Sequence, residues 1–178
     1  MAQHARAPVK LYRYVGPAEI ATAVASHAAG HRVQTAASLD RALAALDAED
    51  GALLTYVVDA EGALRLADRH SEHVACAGGG PVLTAGEIAF EEDQAGWRVA
   101  HASNQSTGYC PEESSWAPLA RCLDALGVSH DGAFTHPVVF RRCPACGERN
   151  LVKDGDLRCA PCGGPLPAAW NFATRPER

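Results

Sequence analysis

The apolar residues of the first fifty positions recur at helical spacing and predict two helices. The first opens at Gly16-Pro17, because proline is tolerated in a first turn, and it ends at Gly30. Ser38 is a suitable N-cap for the second helix, and Asp50-Gly51 marks its end. The apolar stripes are Ile20, Val24 and Ala28 in the first helix and Leu39, Leu43 and Leu46 in the second.

From residue 53 onwards the pattern favours β-strands. Residues 53–58 and 63–66 flank Asp59-Ala-Glu-Gly62, a loop whose length and composition are typical of a hairpin. A meander follows, and Asp93-Gln-Ala-Gly96 separates its last two strands. The meander strands are predicted at 82–83, 87–91 and 97–102, with further strands at 11–15, 32–35 and 136–142.

A third helix follows the meander. Its apolar residues run from Trp116 to Leu126, and Gly127 closes it. Pro118 must lie in the first turn, so the helix is predicted to begin at about Ser115.

Four cysteines near the C-terminus have the spacing of a zinc ribbon. Two Cys-x-x-Cys-Gly knuckles are separated by twelve residues, and such a pair can hold one structural Zn²⁺ tetrahedrally at about 2.3 Å. The turn at Asp154-Gly155-Asp156 predicts that residues 150–153 and 157–159 form the hairpin between the knuckles. The predicted ligands of this single zinc ion are Cys143, Cys146, Cys159 and Cys162.

These elements together predict an α+β fold with a mixed or antiparallel sheet, about three helices and a C-terminal zinc-ribbon hairpin. Residues 1–137 would form the α+β domain, and residues 138–178 the ribbon with a docked tail. No long linker separates the two. Trp170 and Phe172 follow Pro165-Leu-Pro167, which indicates an extended tail whose aromatic rings cover an apolar surface. A tail exposed to solvent is the alternative.

Composition favours a soluble, cytoplasmic protein. Apolar residues make up 47% of the chain, but no apolar run approaches the roughly 18 residues of a membrane span. The first sixteen residues lack the apolar segment of an export signal. Two disulfides in place of zinc would require an oxidising compartment, and Cys76, Cys110 and Cys122 form an odd remainder. Abundant alanine and arginine indicate a GC-rich bacterial genome.

Charge is divided unevenly between the two parts. Residues 1–137 carry nine basic and seventeen acidic side chains, a net of −8, and residues 138–178 carry seven and four, a net of +3. Four thiolates around one Zn²⁺ add a net charge of about −2, which lowers the excess on residues 138–178 to about +1. The excess is too small to predict nucleic-acid binding from charge alone. Such binding by the ribbon would use Arg141, Arg142, Arg149, Lys153 and Arg158.

The first candidate chemical cluster is the segment from His70 to Cys76. His70, His73 and Cys76 are spaced by three, so in a helix they would share one face and could serve a second metal or acid–base site. The glycines at 78–80 favour a loop with hydrogen-bonded histidines instead. They are not a phosphate loop, because no Gly-Lys-Ser/Thr and no helix follow them.

The second cluster is the polar loop 104–111. Cys110 is a candidate nucleophile there, with His73 or His101 as the candidate base. Because Pro118 places the helix start downstream, Cys110 lacks the helix N-terminus that would lower its pKa. We therefore expect Cys110 to be buried and structural.

Residues 79–128 carry a resemblance. Pro-Val-Leu-Thr-Ala-Gly-Glu-Ile-Ala-Phe at 81–90, Asn-x-Ser-Thr-Gly-Tyr-Cys-Pro at 104–111 and Leu-Gly-Val at 126–128 resemble a segment of uncharacterised bacterial proteins with a zinc ribbon. The segment is also distantly similar to plant calmodulin-binding IQ-motif proteins and to toxin-like bacterial proteins, which have Gly-His-Tyr where this chain has Gly108-Tyr109. The resemblance implies that residues 73–111 form one unit with His73, Glu87, Asn104 and Tyr109 grouped in space.

Three functional hypotheses follow. The leading one is a binding or adaptor module that meets a protein partner through its α+β domain; a small-molecule ligand is compatible with it. The second is an enzyme whose pocket lies between loops 70–80 and 104–111, with Cys110 or His73 as the reactive group. The third is nucleic-acid binding through the ribbon. None of the three involves a membrane.

Overall fold

The computed structural model describes residues 10–172, and it confirms the α+β class. One antiparallel sheet of five strands is accompanied by three helices, one single helical turn and a separate two-stranded hairpin. The helices are α1 (Ala18–Val24), α2 (Ala36–Ala45), the turn α3 (His73–Cys76) and α4 (Trp116–Leu126). The strands are β1 (His31–Val33), β2 (Leu54–Asp59), β3 (Leu64–Asp68), β4 (Val82–Asp93), β5 (Gly96–Ala102), β6 (Val139–Arg142) and β7 (Arg149–Val152).

The large sheet has the strand order β1-β3-β2-β4-β5, so β2 lies at its centre and is buried along its whole length. Tyr56 and Val58 point into the core that packs against α2 and α4. Val57 points to the opposite face, where α1, α3 and Tyr109 pack. The alternation along β2 therefore gives the sheet a core on each side.

Two helices differ from their predicted bounds. α2 begins earlier, because its N-cap is Thr35; Ser38 occupies the third helical position and completes a capping box with Thr35. α1 ends at Val24 rather than at Gly30, and none of its residues is buried. An amphipathic stripe with so little buried surface cannot stabilise further turns.

β4 is one continuous strand where two were predicted. Gly86 lies in its middle, and a Cβ there would stand 2.0 Å from the Ser103 carbonyl oxygen, so glycine permits this close approach of two backbones. The strand predicted at 11–15 is reduced to a bridge in which Tyr12 exchanges two backbone hydrogen bonds with Val82, of 2.7 and 2.9 Å. The strand predicted at 136–142 begins only at Val139.

The predicted start and end of the third helix are confirmed. A 3₁₀ turn at Glu113–Ser115 leads into α4, and Gly127 ends it in the left-handed conformation at φ 71°. Leu119 and Leu123 of α4 are fully buried against the sheet. Among residues 10–172, no helix combines the length and the apolar character that crossing a membrane requires.

Candidate metal centre

The two cysteine knuckles converge on one point. The Sγ atoms of Cys143, Cys146, Cys159 and Cys162 all lie within 4.8 Å of one another. Sγ–Sγ distances are 3.6 Å for Cys143–Cys162 and 3.5 Å for Cys146–Cys159. A tetrahedral metal with bonds of about 2.3 Å requires sulfur–sulfur separations of about 3.8 Å. The cluster therefore fits one metal ion such as Zn²⁺, whereas a disulfide requires about 2.05 Å.

The knuckles are built from the same backbone hydrogen bonds. Cys143 N donates to Glu148 O at 2.8 Å, and Gly147 N donates to Cys143 O at 2.9 Å. In the second knuckle, Cys159 N and Gly163 N repeat this pattern, each at 2.8 Å. The backbone hydrogen bonds of each loop thus suffice to turn its two thiols toward the same side.

The hairpin of the ribbon differs from the prediction. β6 pairs with β7 across the first knuckle, with Val139 opposite Val152 and Arg142 opposite Arg149. The predicted partner at 157–159 is reduced to a bridge between Arg158 and Pro165. Because the first knuckle is itself a reversing loop, the strand that enters it can pair with the strand that leaves it.

Asn150 supports the cluster from β7. Its side-chain amide donates to Glu148 O at 3.0 Å and approaches Cys159 Sγ at 3.5 Å, while its Oδ1 accepts from Ala160 N at 2.9 Å. The side chain therefore ties one knuckle to the other and gives the Cys159 sulfur a hydrogen-bond donor. Asn150 was missed from the sequence, because a lone asparagine in a strand carries no spacing signal.

The pKa values of Cys143 and Cys146 are shifted in opposite directions. The backbone amide of Cys146 is the main influence that lowers the pKa of Cys143 to about 7. For Cys146, a backbone hydrogen bond at Glu148 lowers the pKa, but the neighbouring cysteines, Cys159 foremost, outweigh it and raise the pKa to about 12. Four thiolates this close repel one another, so a divalent cation is the natural counter-charge.

The described part of the tail, up to Phe172, packs against Cys110 and β6, and residues 173–178 lie outside the described residues. The Trp170 indole Nε1 donates to Cys110 O at 2.8 Å, and Phe172 is buried with Cys110 and Phe140. Asn171 closes the tail onto β6: its Oδ1 accepts from Arg142 N at 2.8 Å, and its Nδ2 donates to Arg142 O at 2.7 Å.

Asn104 joins the ribbon to the α+β domain. Its side chain is fully buried, and its Nδ2 donates to Pro111 O and to Val138 O, each at 2.9 Å. Its Oδ1 accepts from Val138 N at 2.8 Å. The amide therefore holds loop 104–111 closed and fixes the segment that enters β6 with the same side chain.

Cys110 lies at the base of this junction and is fully buried. Its thiol points to Thr107 O at 3.4 Å, and its backbone is in the left-handed region at φ 46°. Burial raises the pKa of the Cys110 thiol to about 12, although the guanidinium groups of Arg149 and Arg142 favour the thiolate. The expectation of a buried Cys110 agrees with this environment.

The histidine candidates lie in separate environments. His73 Nε2 is 3.0 Å from Gly86 O, and burial lowers its pKa. His101 stacks on His136 with ring centroids 4.2 Å apart. The pKa of His101 is lowered mainly by burial and secondly by the charge of His136. The carboxylate of Glu87 opposes both shifts.

The segment from His70 to Cys76 is not the loop that the glycines favoured, since His73–Cys76 form a helical turn. The Cys76 thiol is nevertheless buried and points to Arg65 O at 3.7 Å. Within residues 10–172, the ribbon cysteines are the sole group of three or more metal-ligating side chains that converge in this way. A second metal site from His70, His73 and Cys76 therefore has no support in the described residues.

Loops 70–80 and 104–111 touch, because the Tyr109 hydroxyl donates to Gly80 O at 2.6 Å. Each loop nevertheless contributes to a different surface cavity. The first loop contributes to a cavity of about 400 Å³ beside α1, which is lined by His70, Ser71, Glu72, Ala75 and Cys76. Tyr109 of the second loop lines a cavity of about 170 Å³ beside the tail. The side chains of His73, Asn104 and Tyr109 bond to different backbone groups. The grouping of these three residues with Glu87 stays a prediction.

Comparisons with family models, curated proteins and solved structures found no match to this chain. The architecture of the metal centre, four cysteines on a C-terminal hairpin, is consistent with a zinc ribbon. The resemblance of residues 79–128 to other proteins stays a prediction.

Proposed function

We propose that the cluster binds one Zn²⁺ and that this zinc is structural. Four protein thiols complete a tetrahedral shell, so they leave no coordination position for water or a substrate. The metal would hold the second knuckle against the first, and through them the tail that carries Trp170 and Phe172 against the α+β domain.

We infer that the chain acts as a binding or adaptor module whose α+β domain (residues 1–137) meets a protein partner. One observation carries this proposal: Cys110 and three of the five basic residues named for the ribbon are committed to internal contacts. Cys110 is buried beneath Phe172 and Trp170 of the tail. The guanidinium groups of Arg141, Arg142 and Arg149 contact the tail or loop 104–111.

The enzyme hypothesis names Cys110 or His73 as the reactive group, and for Cys110 we expect an unreactive thiol. Alkylation of the folded, zinc-loaded protein should modify Cys122 first, since it is half-buried whereas Cys76 and Cys110 are buried. Burial raises the pKa of Cys122 to about 11 and those of the other two to about 12, so all three rates should climb with pH across the neutral range. Mass spectrometry of each cysteine-containing peptide measures the order. Rapid modification of Cys110 with an apparent pKa below about 8.5 would instead favour covalent catalysis.

Nucleic-acid binding has less support, because three of the four arginines that it would use make contacts within the protein. The Arg141 guanidinium donates to Ala168 O at 2.7 Å and to Pro167 O at 3.0 Å. Arg149 Nη1 donates to Thr107 O. The Arg142 guanidinium lies 5.3 Å from the centroid of the Phe172 ring.

We therefore expect no retardation of DNA or RNA in gels run at about 50 mM salt, where phosphate contacts are strongest. The matched variant is Arg158→Gln, which removes a basic side chain of the ribbon without touching the three docking arginines. Retardation that weakens in this variant and disappears near 200 mM salt would instead support nucleic-acid binding by the ribbon.

Site-specific photo-crosslinking in the native host tests the module itself. A photoreactive residue at Gln34, Glu72 or Glu113 places the probe on exposed positions of the α+β domain, and Lys153 is the matched position on the ribbon. We expect a discrete protein adduct from at least one domain position and none from Lys153. Adducts from Lys153 alone, or from no position, would contradict the proposal.

A further inference from the structure

A lysine ammonium group lies against two aromatic rings and a carboxylate where the N-terminal segment meets the tail. Lys10 Nζ is 3.5 Å from the centroid of the Trp170 ring and 5.4 Å from that of Tyr12. The same ammonium donates a hydrogen bond to Glu112 Oε2. Aromatic faces and carboxylates are the groups that bind ammonium ions. Tyr12, Trp170 and Glu112 therefore form a cation cage, which this chain fills with its own lysine.

The walls of the cation cage are fixed by contacts that do not involve Lys10. The Trp170 indole is held by its hydrogen bond to Cys110 O. Tyr12 is held by its two backbone hydrogen bonds to Val82, and its ring meets that of Trp170 nearly edge-on at 86°, with centroids 5.7 Å apart. The Tyr12 hydroxyl also donates to Glu112 Oε2 at 3.3 Å. The cage is thus preorganised for a cation.

Lys10 itself is held weakly. Its side chain is 44% exposed, and an ion pair at such a position contributes little to stability. Its four-carbon stem can rotate into solvent without disturbing Tyr12 or Trp170. Another ammonium group could therefore replace Lys10.

There is space and negative charge for that second ammonium. A cavity of about 170 Å³ is lined by Lys10, Tyr12 and Trp170 themselves. Trp170 and Glu112 also line a second cavity of about 390 Å³, together with Glu113 and Ser114. Arg141 lines it too, but its guanidinium is turned to the carbonyl oxygens of the tail. Residues 1–137 carry a net charge of −8, which attracts a basic partner and repels an acidic one.

We propose that the cation cage binds a lysine side chain from a basic segment of a partner protein, and that Lys10 is its internal competitor. The proposal rests on the proposed function as a binding module and names the site and the chemistry of the partner. Binding would exchange one ammonium for another, so the apparent affinity is reduced by the fraction of molecules in which Lys10 fills the cage.

Fluorescence anisotropy with a defined peptide tests this exchange. The probe is a labelled Gly/Ser peptide with two adjacent lysines, and its control carries glutamines in their place. Lys10→Gln should tighten binding of the lysine peptide by about fivefold or more. Lys153→Gln removes the same charge from the ribbon and should change binding by less than about twofold, since distant exposed charges are screened. Adding Glu112→Gln to Lys10→Gln should weaken binding by about tenfold.

Three outcomes would overturn the proposal: equal tightening by Lys10→Gln and Lys153→Gln, equal binding of the glutamine peptide, or binding of tetramethylammonium but not of the peptide to Lys10→Gln. The photo-crosslinking experiment separates this failure from failure of the proposed function. Adducts from Gln34 or Glu72 without peptide binding would preserve the binding module and reject the cage. Absence of adducts from every domain position would reject the module as well.

Discussion

Replacing Cys143 with serine should abolish metal binding and release the ribbon and tail from the α+β domain. The wild-type chain should carry one equivalent of zinc, and binding at such a site contributes on the order of 10 kcal/mol. The ribbon has little apolar surface of its own to replace that energy: its metal-proximal core is Cys143, Cys159 and Leu166. Amide hydrogen exchange should therefore accelerate by orders of magnitude in β6 and β7, whereas β2 and β4 retain most of their protection because their core lies elsewhere.

Cys122→Ser is the matched control for this experiment. Cys122 lies outside the cluster, and its thiol contacts Gly62 O at 3.4 Å, a contact that a serine hydroxyl can replace. This variant should keep one zinc and the wild-type exchange pattern. Elemental analysis that finds no zinc, or two equivalents, in the wild-type protein would contradict the single structural site. Unchanged protection in β6 and β7 of Cys143→Ser would show that the metal does not hold the ribbon.

The parts of the fold that were predictable are those that local chemistry determines. Pro118 and Gly127 set the bounds of α4, and the hairpin of β2 and β3 follows from its turn residues. The four cysteines were identifiable because metal coordination imposes a spacing that survives without any knowledge of the tertiary structure.

The pairing partner of β7 was not predictable in the same way. Asp154-Gly155-Asp156 is a good turn sequence, but a turn signal does not say which strands pair across it. The structure pairs β7 with β6 instead, because the first knuckle reverses the chain by itself. Similarly, the continuity of β4 through Gly86 was not predictable, since the role of this glycine depends on Ser103, a residue distant in sequence.

The junction between the ribbon and the domain rests on long-range contacts that a single sequence does not display. Arg141 and Arg149 were assigned to a basic surface, yet their guanidinium groups serve carbonyl oxygens of the tail and of loop 104–111. Within its own loop, Asn104 donates to Pro111 O. Its bonds to Val138 could not be foreseen, because they join residues 34 positions apart.

Replacing Asn104 with alanine should destabilise the protein by about 3 kcal/mol or more. The substitution leaves Val138 N, Val138 O and Pro111 O without their partner in a buried junction, and each buried polar group left unpaired costs about 1–3 kcal/mol. Asn104→Asp should be worse, because an ionised carboxylate cannot donate to the two carbonyl oxygens and would lie buried between them. The neighbouring Gln105→Ala removes an exposed amide of the same chemistry and should change stability by no more than about 0.5 kcal/mol. Denaturant unfolding of the zinc-loaded variants measures the difference; a loss below about 1 kcal/mol for Asn104→Ala would mean that the metal centre and the tail, rather than this amide, hold the ribbon to the domain.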